Sequence, residues 1–474
     1  MYDIIVKPYN MSKLLLEFPN RFGIAYEVKE RFSFFADGYK WSPKYKQNIW
    51  DGKIYLFDIG KSLIQFGLVY DLIKWAKQMD YKIKLDETLY DVLSGGNVTY
   101  EKVYKFSTEF LKMPFEPYEY QIEAAVECIN KGRLLLSSPT SSGKSYVIFL
   151  VLQWFKYVEK LERIVIIVPT VGLTTQMFND FKEYSQNIEF NENEYLLIPN
   201  KQNIKRNDSL FTITTWQSLQ NKSKGKGAAK TVQSSFFDDV DALVCDEVQN
   251  FKGETTGAMV QKSMNTPIKL GFSGTIANNK SDEMVLKGLF GNIFNTISID
   301  DLDKKEIIAH AKIKCIECTY TKESINEMKQ TASGKNVTYQ EEIKYIITNK
   351  KRNQFISNLA SAFKTNTLII FNNLEQGELI KEELENSGKA GISIRNLHNV
   401  ILASPTKSGI RILQTIGRVL RKNHNKDSAN VIDIYDDLSN GNKTLNFALK
   451  HFLERYKIYN DNKFEVDVVQ GPKI

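Results

Sequence analysis

The sequence predicts an α/β protein built on doubly wound parallel sheets and preceded by a small α+β unit. Two observations carry this. From about residue 115 onward, short and fully apolar runs (LLLSS, IVIIVPT, ALVCDE, LGFSGT) end in polar or Gly/Ser turns and alternate with amphipathic helical patterns. Runs without alternation are what parallel strands buried on both faces look like, and their loops carry the chemistry. Residues 1 to about 100 differ: short alternating segments (Tyr2 to Val6, Lys53 to Phe57, Tyr81 to Leu85) surround one helical stretch, Leu68 to Met79, the pattern of a compact α+β unit.

A boundary falls near residue 300, after ISIDDLDKKEIIA, where a charged segment precedes a new strand, Ala311 to Tyr320. Beyond it LIIF, NVILAS and NVIDIYDD repeat the apolar-strand style. The expected domains are therefore 1–100, 101–300 and 301–474, in keeping with a length of 474 residues at roughly 150 per domain. A hydrophobic share of 42% and a charged share of 25% exclude a wholly disordered, collagen-like or membrane-embedded chain. The longest purely apolar stretches, such as Ile164 to Val168, fall far short of the ~20 residues that cross a bilayer. The opening MYDIIVKPYN has no secretory h-region, and Cys128, Cys245, Cys315 and Cys318 are too scattered for a disulfide framework, so a cytoplasmic location is expected.

The net charge of +7 permits a polyanionic partner without demanding one, so charge placement must decide. NKSKGKGAAK, residues 221–230, carries four lysines and no acid and reads either as a solvated loop or as a phosphate contact. Near the N-terminus, Tyr39, Trp41, Tyr45, Trp50 and Tyr55 alternate with Lys40, Lys44, Lys46 and Lys53. Basic residues can follow a phosphate backbone while aromatic faces stack on bases or seal a small core. Cys315-Ile316-Glu317-Cys318 has a metal-like spacing but no second pair and no nearby His, and reads as plain strand.

The strongest local signal is Ser138-Pro139-Thr140-Ser141-Ser142-Gly143-Lys144-Ser145, between the strand Leu134 to Ser137 and the helical run YVIFLVLQWF. This is G-x-x-x-x-G-K-[ST] with Ser138 at the first glycine position, in the strand-loop-helix setting the motif requires. The loop from Pro139 to Gly143, through the backbone N–H groups of Thr140 to Gly143, and the helix start would cradle the β-phosphate, Lys144 would pair with β and γ oxygens, and the Ser145 hydroxyl would ligate Mg²⁺. About a hundred residues later the apolar strand Ala242 to Cys245 ends in Asp246-Glu247, placed to hold Mg²⁺ through Asp246 and to orient an attacking water through Glu247. In the second half, Arg418 and Arg421 of Gln414-Thr415-Ile416-Gly417-Arg418-Val419-Leu420-Arg421 lie three apart. On one helix they would share a face and could reach a γ-phosphate.

In this order the segments resemble the superfamily-two helicases and translocases, which implies two RecA-like domains with ATP and Mg²⁺ in the cleft between them. The resemblance spans residues 115 to 437. It makes Gln121 of PYEYQ the adenine-reading candidate, and it assigns Thr170 of IIVPT and Thr214 and Thr215 of TTWQSL to the nucleic-acid backbone. Phe272-Ser273-Gly274-Thr275 matches the coupling motif, and Gln414, Arg418 and Arg421 fall on the glutamine-glycine-arginine-arginine signature. FADGY (35–39), WDGK (50–53), PTSSGKS, TYQEEI and QTIGRVLRK resemble a phage recombination branch of the family. That implies branched DNA as partner, through Lys40, Lys44 and Lys46, with RNA–DNA hybrid and other recombination proteins beside it. The implied activity is DNA-dependent ATP hydrolysis driving branch migration, fork regression and R-loop dissociation in recombination, repair and replication, in the host cytoplasm.

Two departures stand out. Gln249 of Asp246-Glu247-Val248-Gln249 replaces the His common in the family, which leaves the acids intact but bears on coupling. Between Phe371 and Gly391 only 19 residues intervene, where the family places a helix, a strand, a further helix and another strand. A βαβ unit needs ~30 residues, so about 35 residues are missing between 384 and 391 and the second sheet should hold about four parallel strands. The alternatives are a protein that binds or anneals DNA without ATP turnover, and the motor of a restriction system, for which the sequence shows no nuclease motif.

Overall fold

The computed structural model describes residues 2–474 apart from 199–208, 220–233, 253, 277–278, 332–336, 387–396, 407, 423–425 and 440–443. The lysine-rich stretch 221–230 and the expected gap between 384 and 391 thus lie largely outside the described residues. One compact unit comprises Met1–Pro139 and Gly143–Thr296, and Thr140–Ser142 with Ile297–Ile474 belong to a second.

The first unit opens with β1 (Ile4–Asn10), β2 (Lys13–Glu17), β3 (Ser33–Phe35), β4 (Lys53–Tyr55), β5 (Phe57–Asp58), β6 (Leu63–Gln65) and β7 (Ile83–Leu85). Five form a mixed sheet in the order β5-β6-β2-β1-β7, and β3 and β4 pair separately. The helix Val69–Gln78 closes this core with Val69, Leu72, Trp75 and Ala76, one helical face at spacings of three and four. Between β3 and β4, Tyr39 stacks on Phe35 at 4.6 Å and meets Tyr45 edge-on at 4.9 Å. Gly52, at φ +81°, lies so close that a Cβ there would meet the Tyr39 ring at 2.4 Å. The aromatics of this segment therefore divide: Tyr39 and Tyr45 seal a small core, and Trp41 is 80% exposed beside exposed Lys40, Lys44 and Lys46.

The second sheet of this unit contains β8 (Arg133–Ser137), β9 (Ile164–Val168), β10 (Tyr195–Ile198), β11 (Phe211–Thr215), β12 (Ala242–Asp246), β13 (Ile268–Ser273) and β14 (Ile293–Asn295). Their order is β10-β11-β9-β12-β13-β8-β14, every pairing parallel. β9, β11 and β12 are buried at every residue, which is why their sequences lack alternation. A parallel sheet puts every strand's carboxyl end on one edge, so the loops after β8, β12 and β13 must share that edge. At the opposite edge the N-terminal sheet docks. Lys269 donates from Nζ to Ser12 Oγ (2.6 Å) and the Met11 carbonyl (3.0 Å), and Arg133 donates to the same carbonyl while lying 4.3 Å over the Phe66 ring. Burial holds the Arg133 guanidinium down to about 9 and Lys269 well below the usual lysine range.

The second unit holds β15 (His310–Thr319), β16 (Thr367–Ile370), β17 (Asn399–Leu402), β18 (Ser428–Asp437) and β19 (Glu465–Lys473). They form one sheet in the order β16-β17-β18-β15-β19, again parallel throughout. Five strands among the described residues correct the expected four. The addition is β19, whose sequence EVDVVQGPK mixes charge and proline with its apolar residues and which, among the described residues, pairs only with β15. At the other edge, β16 leaves Leu368 and the following Phe371 each 39% exposed and Leu374 81% exposed, the open apolar edge that a shortened sheet implies. Cys315 and Cys318 are buried on β15, and no described helix is long and apolar enough to cross a membrane.

His310 ties β15 to β19. Its Nδ1 lies 2.8 Å from Asp303 and its Nε2 2.9 Å from Glu465, and the Glu465 and Asp303 carboxylates raise the imidazole above its ordinary value. A raised folded-state value contributes stability that is full below the unfolded value of ~6.5 and is lost as pH rises through the folded one. The melting temperature of the native chain should therefore fall relative to His310→Gln between pH ~6 and ~8; parallel profiles for the two proteins would refute this.

Candidate active site

The phosphate-loop segment leaves β8 at Ser137 and enters the helix Lys144–Tyr157. Ser141 at φ 71° and Gly143 at φ 80° are left-handed, and such inversions turn successive N–H groups toward one side, the concavity that receives a phosphate. Gly143 is also required sterically, since a Cβ would stand 2.3 Å from Gln121 Nε2. Gln121 is 5% exposed, and its Oε1 accepts the Tyr118 N–H at 3.0 Å. The adenine-reading candidate is thus held directly against the loop by a helix-capping contact.

The parallel edge delivers the acids to the lysine. Lys144 Nζ lies 3.1 Å from Asp246 Oδ1 and 3.0 Å from Glu247 Oε1. Glu247 follows β12 in a left-handed conformation, φ 52°, which costs a non-glycine residue about 1 kcal/mol or more and marks functional sites. Burial works against the Lys144 charge, but Asp246 and Glu247 overcome it and hold the ammonium at about 12. Burial raises Asp246, with Lys144 opposing and Glu247 adding to the shift. One cation and two carboxylates in a largely buried site suit a divalent ion and a polyphosphate: Asp246 and Ser145 could offer oxygens to Mg²⁺, and Lys144 and the loop N–H groups could donate to phosphate.

Gln249 extends the site. Its Nε2 donates to Glu247 Oε2 at 2.6 Å, and its Oε1 accepts from Ser273 Oγ, whose oxygen also accepts the Thr275 N–H at 3.1 Å. The residue that departs from the family pattern is therefore the link between the acid after β12 and the Ser-Gly-Thr turn after β13. Sequence reasoning flagged the departure but could not supply this contact. It also missed Thr296, whose Oγ1 donates to Ser138 Oγ at 3.1 Å, and Tyr184, whose hydroxyl stands 2.8 Å from Ser145 Oγ. Both arrive from distant segments with no motif of their own.

The nucleic-acid candidates separate. Thr170 is exposed at the N-cap of the helix Val171–Tyr184. Thr214 and Thr215 are 0% and 2% exposed: Thr214 Oγ1 donates to the Ile198 carbonyl at 3.2 Å and Thr215 Oγ1 accepts the Ser218 N–H at 3.2 Å. The expected backbone contact by these two hydroxyls is corrected to an internal role, fixing the strand end and the turn after it. In the second unit, Gln414 and Arg418 lie on the helix Gly409–Val419, with Arg418 exposed. Arg421 does not continue that helix: it follows the C-cap Leu420 and forms an isolated antiparallel bridge with Ile308. The expectation that both arginines share one helical face is corrected accordingly.

Comparison with known proteins gives consistent matches. Residues 3–86 match the N-terminal family model of DNA helicase UvsW, and residues 114–278 the model of the type III restriction enzyme res subunit. The ATP-dependent DNA helicase UvsW of Enterobacteria phage T4 is 31% identical over 490 aligned residues, covering 93% of this chain and 94% of its own. Since 93% of 474 residues is about 441, roughly 50 of the 490 aligned positions hold a residue only in the relative. The crystal structure of T4 UvsW superposes with a TM-score of 0.53 at 28% identity, covering 99% of both chains. The Type ISP restriction-modification enzyme LlaBIII shares the fold alone, at 11% identity and a TM-score of 0.52 over 86% of this chain and 36% of its own.

Proposed function

Because the chain belongs to the family of the ATP-dependent DNA helicase UvsW, we propose that it is an ATP-dependent DNA helicase or translocase that unwinds or remodels branched DNA. Branch migration, fork regression and R-loop dissociation in phage recombination, repair and replication are the activities this reading assigns. The observation that carries it is the ammonium of Lys144 held between Asp246 and Glu247 at the carboxyl edge of a parallel sheet. In this reading Lys144 moves to the β- and γ-phosphates when ATP arrives, Glu247 orients the water, and Gln249 keeps Glu247 in place. Mg²⁺, held by Ser145 and Asp246, would supply charge neutralisation on the phosphate oxygens. Gln414, Arg418 and Arg421 are the further catalytic residues, and Lys40, Lys44, Lys46 and Thr170 the DNA contacts. Residues 1–100 would serve as the DNA-binding domain, with 101–300 and 301–474 as the RecA-like halves.

The test is ATP hydrolysis and fork unwinding by the full chain, without DNA, with single-stranded DNA and with forked DNA. DNA-stimulated turnover with unwinding is expected. Tight DNA binding and annealing without turnover would replace this reading with that of an annealing protein, for which the open edge at β16 is the motivating observation.

A further inference from the structure

We infer that Tyr184 is a positioning residue for Ser145, orienting the hydroxyl that the ATP-site reading assigns to Mg²⁺; the inference rests on that reading. A serine hydroxyl has one proton and two lone pairs. It can turn a lone pair to a metal ion only when its proton points to another acceptor. Either hydroxyl can donate across the 2.8 Å between Ser145 Oγ and Tyr184, and with a metal ion on Ser145 the Tyr184 oxygen is placed to be that acceptor. Asp246 Oδ1 is engaged elsewhere: it faces Lys144 Nζ at 3.1 Å and accepts the Glu247 N–H at 2.9 Å.

Tyr184 is held in place for this task. It is the last residue of the helix Val171–Tyr184, and its ring packs on Tyr146 at 5.7 Å and on Phe149 at 5.6 Å. Both rings belong to the helix Lys144–Tyr157 that also carries Ser145. The same two helices therefore set the distance between the hydroxyls, and Tyr184→Phe deletes the acceptor while keeping the aromatic packing.

The experiment is binding of a fluorescent ATP analogue to the full chain as a function of Mg²⁺ concentration, for the wild type, Tyr184→Phe, Ser145→Ala and the double variant. Tyr184→Phe should raise the Mg²⁺ midpoint about five-fold, the effect of one neutral hydrogen bond, and leave affinity in chelator unchanged. In the Ser145→Ala background it should add nothing, because the two hydroxyls act as a unit. A Tyr184→Phe titration that overlays the wild type overturns the inference while leaving the ATP site intact. So does an equal loss with and without Mg²⁺, which would mark a packing effect, or additivity in the double variant. A wild type that binds no nucleotide under either condition overturns the ATP-site reading and the inference together.

Discussion

Lys144→Ala is expected to lower DNA-stimulated ATP turnover at least about 10²-fold, the cost of removing one preorganised charge from a site where negative charge develops. The geometry supports a loss at the upper end. Lys144 is the cation that lies between Asp246 and Glu247 at 3.1 and 3.0 Å, so its removal leaves two adjacent carboxylates in a buried site. Burial already raises Asp246 and Glu247 adds to the shift; with the ammonium gone, nothing offsets the repulsion between the two carboxylates. On the proposed reading the variant thus loses the phosphate partner and disturbs the acid assigned to Mg²⁺ as well. DNA affinity should stay within about two-fold of wild type, because the proposed DNA contacts Lys40, Lys44 and Lys46 are exposed in the N-terminal segment and are untouched by the substitution. Steady-state phosphate release and a DNA-binding isotherm measure both quantities. Wild-type turnover by the variant would remove the phosphate loop from the site.

The acids and the lysine were legible because a parallel sheet leaves little freedom. Once LLLSS and ALVCD are buried strands of one parallel sheet, the residues that follow them meet at one edge, and β8 and β12 are separated only by β13. Arg421 was misread because spacing of three implies a shared face only while the helix continues, and this helix ends at Val419. Thr214 and Thr215 were misread for a related reason: a strand end supplies both surface and buried hydroxyls, and only tertiary packing separates them. Tyr184 and the Lys269–Ser12 contact had no local signature, since each partner is recruited across the fold. β19 escaped notice because an edge strand with one neighbour needs less apolar sequence than an interior one.

The missing length acquires a structural meaning from the same sheet. Roughly 50 aligned positions are present only in the T4 relative, and the short connection after Phe371 is where the sequence predicts a loss of this kind. β16 is directly paired with β17 and remains an edge strand with a mixed, half-exposed burial pattern, whereas every residue of β17 is buried. An unprotected apolar edge favours association with other chains. Lys144, Asp246 and Glu247, by contrast, belong to the first unit, whereas the short connection after Phe371 belongs to the second.

Asp436→Ala is expected to destabilise the second unit by about 3–5 kcal/mol, the usual consequence of breaking a buried ion pair from one side. Arg352 and Asp436 both have side chains at 0% exposure. The guanidinium donates from Nε to Asp436 Oδ1 at 2.7 Å, from Nη2 to Oδ2 at 2.9 Å and from Nη1 to the Ala403 carbonyl at 2.8 Å. The Tyr320 hydroxyl adds a further donor to Oδ1 at 2.9 Å. Burial alone would disfavour the Arg352 charge, yet Asp436 and Tyr320 hold it above the ordinary arginine value, so the pair is self-sustaining only while both members remain. Without the carboxylate, the charged fork keeps one carbonyl and loses two charge-assisted bonds, and the helix Lys350–Ala362 loses its tie to β18. Replacing both residues together, as Arg352→Met with Asp436→Leu, should recover most of the loss, because no uncompensated charge is then buried. The measurement can be made selective: all five tryptophans, Trp41, Trp50, Trp75, Trp154 and Trp216, precede residue 297 and report on the first unit. Unfolding of the second unit must be followed by far-UV circular dichroism, and a dichroism transition in Asp436→Ala within about 1 kcal/mol of wild type would show that the pair contributes no more than an exposed one.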